Sequence, residues 1–259
     1  MVLRHYAVNF QQSVAIILMA SADYPCCRPH LAHSTSVKIL ALETSTAYCS
    51  AALLLDSACL VRQVSAGQRH SELLLPMVDE LLNESGVALR NLDAIAFGEG
   101  PGSFTGLRIA CGVAQGLAFG AGLPVVGVST LLALAEATHH PKVIACLDAR
   151  MGEVYCASYV RGASALEEVH PVALCKPDQV PLVEGSGWSG CGSGFDAHSV
   201  ALTARFADRI ERVIGGLFPH AREMAWLAQA VVASGGARAP ELAVPVYVRD
   251  KVALTSAER

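Results

Sequence analysis

The segment from residue 98 to residue 120 limits what this chain can fold into more than any other segment does. It follows an apolar, strand-like run, LDAIAF, and opens with a glycine-rich turn that contains Gly98, Gly100, Gly102 and Gly106. Apolar or small residues then recur with the spacing of a helix. The pattern predicts a buried strand, a tight turn and a helix that begins near residue 103.

A glycine-rich turn at the start of a helix can bind an anion, because its free backbone N–H groups and the helix dipole point the same way. The spacing differs, however, from both common phosphate motifs. No lysine follows as in G-x-x-x-x-G-K-S/T, and three residues separate Gly102 from Gly106, where G-x-G-x-x-G has two. Ser103 also has a simpler role available, as the cap of the helix. Two interpretations therefore stay open, phosphate binding at Gly100, Gly102 and Ser103, and a structural turn in which Ser103 caps the helix.

The predicted helix carries a second set of glycines, four residues apart, at Gly112, Gly116 and Gly120. Each glycine inside a helix costs roughly 1 kcal/mol relative to alanine, so close packing must offset the loss. That packing lies either inside the fold or against another chain, and the residues alone leave both open.

A second candidate for nucleotide binding is Glu43-Thr44-Ser45-Thr46, where the first predicted strand ends. A carboxylate beside hydroxyl groups can hold a hydrated metal ion and reach a nucleotide phosphate. The alternative is a polar turn whose side chains bond to the backbone. Both interpretations stay open.

The rest of the sequence offers little to a catalytic or metal centre. His70 stands alone, His139 and His140 are adjacent, and no paired Cys/His spacing occurs. Asp148 and Glu153 flank a turn in DARMGEVY, which we interpret as a hairpin with an arginine at its tip. We therefore predict no catalytic residue and no metal ligand.

The order of the predicted elements indicates an α/β protein with two lobes. Three strands, a helix, a strand, a helix and a strand succeed one another over 37–138, as in a mixed sheet of the ribonuclease-H type. A second, smaller lobe is predicted over 139–259, with a Gly/Ser-rich loop at 185–194 and a helical or irregular stretch near 199–211. In the first helix, Pro76 should cause a kink or lie in the first turn.

Composition favours a protein that binds other proteins over one that binds nucleic acid by itself. Hydrophobic residues make up 53% of the chain and charged residues 16%, so some apolar surface should cover an interface. The net charge is −4 and no run of Lys or Arg exceeds two residues, which disfavours independent nucleic-acid binding. Nine cysteines without C-x-x-C spacing disfavour a disulfide framework. We expect a cytoplasmic protein with no membrane span.

Residues 1–36 differ from the remainder of the chain. A short apolar run before Ala20-Ser21-Ala22 loosely imitates an export signal. Because the run is short and the later cysteine usage fits a cytosolic protein, we expect a non-native or disordered extension, such as one from a start codon assigned too far upstream.

Six segments resemble the TsaB (YeaZ) family in order and spacing, and the match extends from residue 37 to about 250. They are ILALETST, QRHSELLLPMVDELL, FGEGPGSFTGLRIACGVAQGLAFG, LPVVGVSTL, LDARMGEVYCASY and PVYVRD. The resemblance implies an actin-like, Hsp70-like ATPase (ASKHA) fold with two ribonuclease-H-like lobes. It also implies an accessory, non-catalytic role in forming N6-threonylcarbamoyladenosine beside the anticodon of tRNA. The implied partners are a TsaD-type transferase, of which this chain is a shortened paralogue, and a TsaE-type ATPase.

The resemblance further implies that two helices, at about 70–85 and 103–120, form the face that binds the TsaD-type subunit. The same face is expected to form a homodimer when TsaD is absent. Small residues let helix backbones approach, while Leu and Met fill the gaps. The expected interface residues are His70, Leu73, Leu74, Met77, Leu81, Leu107, Arg108, Gly112 and Gly116. The alternative is that one of these stripes packs in the core of the lobe.

We expect no cofactor bound by this chain alone and tRNA contact only through the complex. ATP or ADP at the complex interface stays open, and the nucleotide-binding candidates are Glu43, Thr44, Ser45, Gly100, Gly102 and Ser103. The alternative function is an active nucleotide-dependent transferase or a metallopeptidase of the same superfamily.

Overall fold

The first lobe is built on a mixed five-stranded sheet with the strand order β3-β2-β1-β4-β5. The structure, a computed structural model, describes residues 37–249. Strands β1 to β3 form an antiparallel meander, and β4 and β5 continue the sheet parallel to β1. The strands are β1 (Lys38–Glu43), β2 (Tyr48–Leu55), β3 (Ala58–Ser65), β4 (Ala94–Gly100) and β5 (Val125–Ser129).

Helices cover both faces of this sheet because side chains along β1 alternate between two apolar cores. Leu40 and Leu42 belong to the core under helices α1 (His70–Ser85) and α2 (Phe104–Ala121), whereas Ile39 and Ala41 face helix α6 (Ala221–Ala233). Burial on both faces explains why β1 reads as a continuous apolar run.

The second lobe contains another five-stranded sheet, with the strand order β10-β9-β6-β7-β8. Helix α3 (Thr130–Glu136) packs against one face, and the short helices α4 (Ser193–Ala197) and α5 (Ser199–Phe206) pack against the other. The strands are β6 (Lys142–Asp148), β7 (Val154–Arg161), β8 (Leu166–Cys175), β9 (Trp188–Cys191) and β10 (Ile210–Ile214).

One prediction for the second lobe was wrong in detail. The segment 185–194, expected to be a loop, contains strand β9. The helical stretch predicted near 199–211 is confirmed as helix α5, which gives way to strand β10 at Ile210. A Cβ placed on Gly190 would lie 2.5 Å from the ring of Phe195, so this glycine makes room for an aromatic side chain inside the sheet. The glycine- and serine-rich composition of the segment 185–194 is typical of a loop, which is why a strand was not predicted.

The expected division of the chain at residue 139 separates the two sheets, but helix α6, which comes after it, packs against the first sheet. Its residues Ala221, Met224 and Ala228 join the core of β1 and β2. The chain therefore returns to the first lobe after completing the second. Helix α1 continues through Pro76, which lies in neither the first turn nor a break of the helix.

None of the described helices is long and apolar enough to cross a membrane. The predicted extension over residues 1–36 lies outside the described residues.

Candidate functional site

The glycine-rich turn is packed directly against the end of strand β1. A Cβ placed on Gly106 would lie 1.9 Å from the carbonyl oxygen of Thr44, and one placed on Gly102 would lie 2.6 Å from Cβ of Ser45. The hydroxyl of Thr44 donates to the carbonyl of Gly106 at 2.7 Å, and the N–H of Ser103 donates to the carbonyl of Ser45 at 2.8 Å. These glycines allow two backbone segments to touch, which is a structural reason for their presence.

The C-terminal segment closes the other side of the turn. We call residues 236–249 the C-terminal strap. The N–H of Val246 donates to the carbonyl of Glu99 at 2.7 Å, and its own carbonyl oxygen would lie 2.6 Å from a Cβ on Gly100. The structure thus brings the two predicted nucleotide-binding segments into direct contact. Ser103 caps α2, since its hydroxyl accepts from the N–H of Gly106 at 3.4 Å.

Glu43 is buried beneath this turn on the side of α6. Its Oε1 accepts a hydrogen bond from the N–H of Ser45, while Oε2 has no hydrogen-bond partner. A Cβ on Gly98 would lie 2.0 Å from that Oε2 atom, so Gly98 provides the room for the carboxyl group. Burial raises the pKa of Glu43 to about 7, and the hydrogen bonds with Ser45 act in the opposite direction.

The predicted interface residues divide into two groups, and one group faces the core. Leu74, Met77 and Leu81 are buried between the helices and the first sheet, and Leu107 is buried at the start of α2. His70 is also buried, with Nε2 2.9 Å from the carbonyl oxygen of Thr46. The prediction that these five side chains contact a partner is corrected, because reaching them requires the lobe to open. Leu73 is partly buried and packs against the same core.

The second group lies on the open side of α2, which we call the glycine face: Arg108, Gly112, Gly116 and Gly120. A Cβ placed on any of these three glycines would meet no atom of the described residues within 4 Å. The fold itself therefore does not require glycine at these positions, in contrast to Gly106 in the same helix. Phe119, beside Gly120, exposes 76% of its surface.

The C-terminal strap lies along α2 and borders the glycine face. The side chain of Gln115 donates to the carbonyl of Pro240 at 3.2 Å, and the Cys111 thiol donates to the carbonyl of Ala243 at 3.4 Å. Apolar side chains of the strap remain exposed to solvent, including Leu242, Val244 and Val246. Helix and strap together thus form one surface with little charge.

An aromatic and cationic cluster stands where the strap crosses the start of α2. The guanidinium carbon of Arg108 lies 3.7 Å from the centroid of the Phe104 ring, and Nε of Arg108 donates to the hydroxyl of Tyr247 at 2.8 Å. The two rings are 5.1 Å apart. These contacts hold Arg108 in place while both aromatic rings stay partly exposed.

The end of the strap reaches the second lobe at the turn between β6 and β7. Arg249 donates to a carboxylate oxygen of Glu153 at 2.7 Å and to the carbonyl of Ala149 at 3.0 Å. Arg150 and Met151 in this turn adopt left-handed backbone angles, with φ of 63° and 56°. The expected hairpin with an arginine at its tip is confirmed, and Glu153 anchors the strap there.

Sequence reasoning missed the strap as part of the surface. Its segment PVYVRD was used only as part of the family resemblance, and its contacts join residues 100 or more positions apart. An exposed Tyr and Arg within an apolar extended tail were the one available signal. Within residues 37–249, no group of three or more His, Cys, Asp or Glu side chains is arranged to hold a metal ion.

Comparison with known proteins assigns the chain to a family. A family model described as TsaD, tRNA N6-adenosine threonylcarbamoyltransferase, matches residues 63–256. The tRNA threonylcarbamoyladenosine biosynthesis protein TsaB of Escherichia coli K12 is 40% identical over 228 residues, which cover 84% of this chain and 96% of that protein. The chain belongs to the TsaB family. The TsaB protein of Haemophilus influenzae is 36% identical over 230 residues, covering 84% of this chain and 95% of its own.

Solved structures agree with the TsaB assignment. A crystal structure from Pseudomonas aeruginosa, described as an uncharacterized protein with similarity to peptidase YEAZ, has a TM-score of 0.77 at 40% identity and covers 82% of this chain and 100% of that chain. YeaZ from the same organism has a TM-score of 0.76, also at 40% identity, and covers 82% of this chain and 99% of its own. The predicted family and the predicted α/β fold with two ASKHA-type lobes are both confirmed.

Proposed function

We propose that this chain is an accessory, non-catalytic subunit in the formation of N6-threonylcarbamoyladenosine in tRNA, and that it binds and supports a TsaD-type transferase. The names of the TsaB relatives support the pathway, since they are described as tRNA threonylcarbamoyladenosine biosynthesis proteins. The match to the TsaD family model supports the partner, because paralogous folds offer equivalent helices for pairing.

The observation that carries the proposal is the glycine face of α2. Three glycines spaced four residues apart weaken a helix, and no atom of residues 37–249 occupies the space that they leave. A partner helix can use it, because a surface without Cβ atoms lets a second backbone approach closely. The exposed apolar residues of the C-terminal strap extend this surface beside the helix.

The packed glycine-rich turn supports a non-catalytic role. The glycines of the turn pack against Thr44, Ser45 and Val246 of the chain itself, so they have a structural role that does not depend on a bound nucleotide. The alternative, an active transferase or a metallopeptidase, draws on the TsaD family match and on the peptidase likeness in the description of the Pseudomonas protein. Nucleotide turnover or peptide cleavage by the purified chain would favour that alternative.

The proposal includes the remaining members of the assembly. A TsaE-type ATPase joins the pair, tRNA is contacted only within the complex, and the glycine face pairs with a second copy when TsaD is absent. The chain alone binds no nucleotide, and ATP or ADP binds at the interface with the transferase. We expect isothermal titration calorimetry to detect ADP binding only after the TsaD-type subunit is added.

The decisive experiment is reconstitution of tRNA modification with the TsaD-type and TsaE-type proteins of the same organism. Modified nucleoside is measured by mass spectrometry of digested tRNA, with and without this chain. Gly112→Leu is the interface probe, and Ala230→Leu, at an exposed position of α6 on the opposite side of the sheet, is its matched control. Full modification without the chain, or with a Gly112→Leu variant that no longer binds TsaD, would overturn the proposal.

A further inference from the structure

Three thiols form a row across the second sheet, on the face covered by α4 and α5. Cys146 on β6 is the register partner of Cys156 on β7, and the sulfur of Cys156 lies 3.6 Å from that of Cys175 on β8. All three side chains join the same apolar cluster.

Access to the row is asymmetric. Strand β8 is at the edge of the sheet, and Cys175 on it is partly exposed, whereas Cys156 and Cys146 are buried. A reagent in solution therefore reaches the Cys175 thiol first. The Cys156 thiol stands directly behind it as the nearest second sulfur.

The strand register places the two sulfurs on the same face of the sheet, close to a local irregularity. Cys156 pairs with Ala173 and Cys175 pairs with Val154, so the two cysteines are diagonal neighbours. The register between β7 and β8 breaks immediately after Cys156, and such breaks bend a strand locally. Bond formation requires the sulfur separation to shorten to about 2.05 Å.

We propose that Cys156 and Cys175 form a redox-reactive pair that a low-molecular-weight disulfide, such as glutathione disulfide, converts into an intramolecular disulfide. In the first step the Cys175 thiolate attacks glutathione disulfide, which yields a mixed disulfide at Cys175 and releases one glutathione. In the second step Cys156 loses its proton and attacks the Cys175 sulfur, which releases the second glutathione. The two cysteines are oxidised by two electrons, and glutathione disulfide is reduced to two thiols.

The surroundings of the pair set how its reactivity depends on pH. Burial raises the pKa of Cys175, and Glu153 and Asp178 raise it further, while Arg205 and the Cys156 hydrogen bond lower it. Burial also raises the pKa of Cys156, and Cys175 adds to that shift. Because only the thiolate attacks a disulfide, the reaction should be slow at neutral pH and accelerate towards alkaline pH.

The test uses the full chain in its folded state, incubated with glutathione disulfide at mildly alkaline pH and mapped by non-reducing peptide mass spectrometry. We expect the peptides that contain Cys156 and Cys175 to be linked, with the loss of two hydrogens. Cys156→Ala, which keeps a small apolar side chain, should stop the reaction at a stable glutathione adduct on Cys175. Cys175→Ser should abolish the link, and Cys59→Ser, on the first sheet, should leave it unchanged.

Three results would overturn the proposal. These are a permanent glutathione adduct on Cys175 of the parent chain, a link between Cys156 and Cys146, and a Cys156–Cys175 link that forms only in denaturant. Circular dichroism of each variant confirms that the compared proteins are folded.

Discussion

Replacing Gly112 with leucine should stabilise the protein and weaken partner binding at the same time. Gly112 lies inside α2, and a Cβ at this position meets nothing within 4 Å. Glycine is about 1 kcal/mol less favourable than alanine in a helix, and leucine is nearly as good as alanine. The free energy of unfolding should therefore rise by about 0.5 to 1 kcal/mol, which raises the melting temperature by roughly 1 to 4 °C in a domain of this size.

Partner binding should change in the opposite direction. A leucine on the glycine face inserts four carbon atoms where we expect a partner helix to approach. Overpacking of this kind costs about 1 to 3 kcal/mol, which corresponds to a dissociation constant about 5- to 150-fold higher. Calorimetric titration with the TsaD-type subunit measures the change in affinity, and thermal denaturation of the free chain measures the change in stability.

The opposite signs make the prediction specific. A variant that is merely misfolded would lose stability and binding together, whereas Ala230→Leu, on the far side of the sheet, should leave binding unchanged. Binding of Gly112→Leu with the parent affinity would show that the glycine face is not the interface. A loss of stability would show that the space beside Gly112 is needed by the fold itself.

The remaining predictions concern groups whose surroundings differ from those of Gly112. Gly106→Ala should lower the free energy of unfolding by about 1 to 3 kcal/mol or more in denaturant titrations, since its Cβ would lie 1.9 Å from a backbone oxygen; unchanged stability would contradict the packed turn. Leu74→Ala should lower the free energy of unfolding by about 2 to 5 kcal/mol in the same assay, because Leu74 is fully buried. A Leu74→Ala chain that is as stable as the parent and defective only in TsaD binding would show that Leu74 is not a core residue. Burial raises the pKa of Glu43 from 4.5 to about 7, so the native state holds a proton that the unfolded chain releases, and stability falls as pH rises through this window. Because glutamine does not ionise, the free energy of unfolding of Glu43→Gln relative to the parent should increase between these pH values, by at most about 3 kcal/mol. Equal pH dependence of the two proteins would argue against a buried carboxyl. A double-mutant cycle of Arg249→Ala and Glu153→Ala should give a coupling of about 0.5 to 1 kcal/mol, because the pair is partly buried, and zero coupling would mean that the strap is not anchored there.

Much of the fold could be predicted because its signals are local. The apolar strand β1, the first three strands and the approximate extents of α1 and α2 follow from the periodicity of apolar residues. Strand β9 could not be predicted in the same way. Its glycine-rich composition is typical of a loop, and only the ring of Phe195 packed against Gly190 explains why glycine stands in a strand.

The candidate site was predictable in outline but not in its orientation. The sequence singled out both helices, yet periodicity alone does not say which stripe of α1 and α2 faces the sheet. Leu74 and Leu107 proved to be core residues, whereas Arg108 and Gly112 lie on the open side. The strap was beyond reach, because its bonds to Arg108 and Ala149 join distant parts of the chain.

By itself, the sequence determined the strand–turn–helix unit at residues 98–120, the two-lobed α/β class and the family. Only the tertiary structure decided what each glycine in that unit does. Gly106 and Gly112 look alike along the chain, but Thr44, 62 positions earlier, contacts the first, whereas no atom of the described residues lies beside the second. The physical reason is that glycine is required where other atoms lie too close to its Cα to leave room for a Cβ. Those atoms belong to segments that are distant in the sequence, and local sequence does not determine where such segments lie.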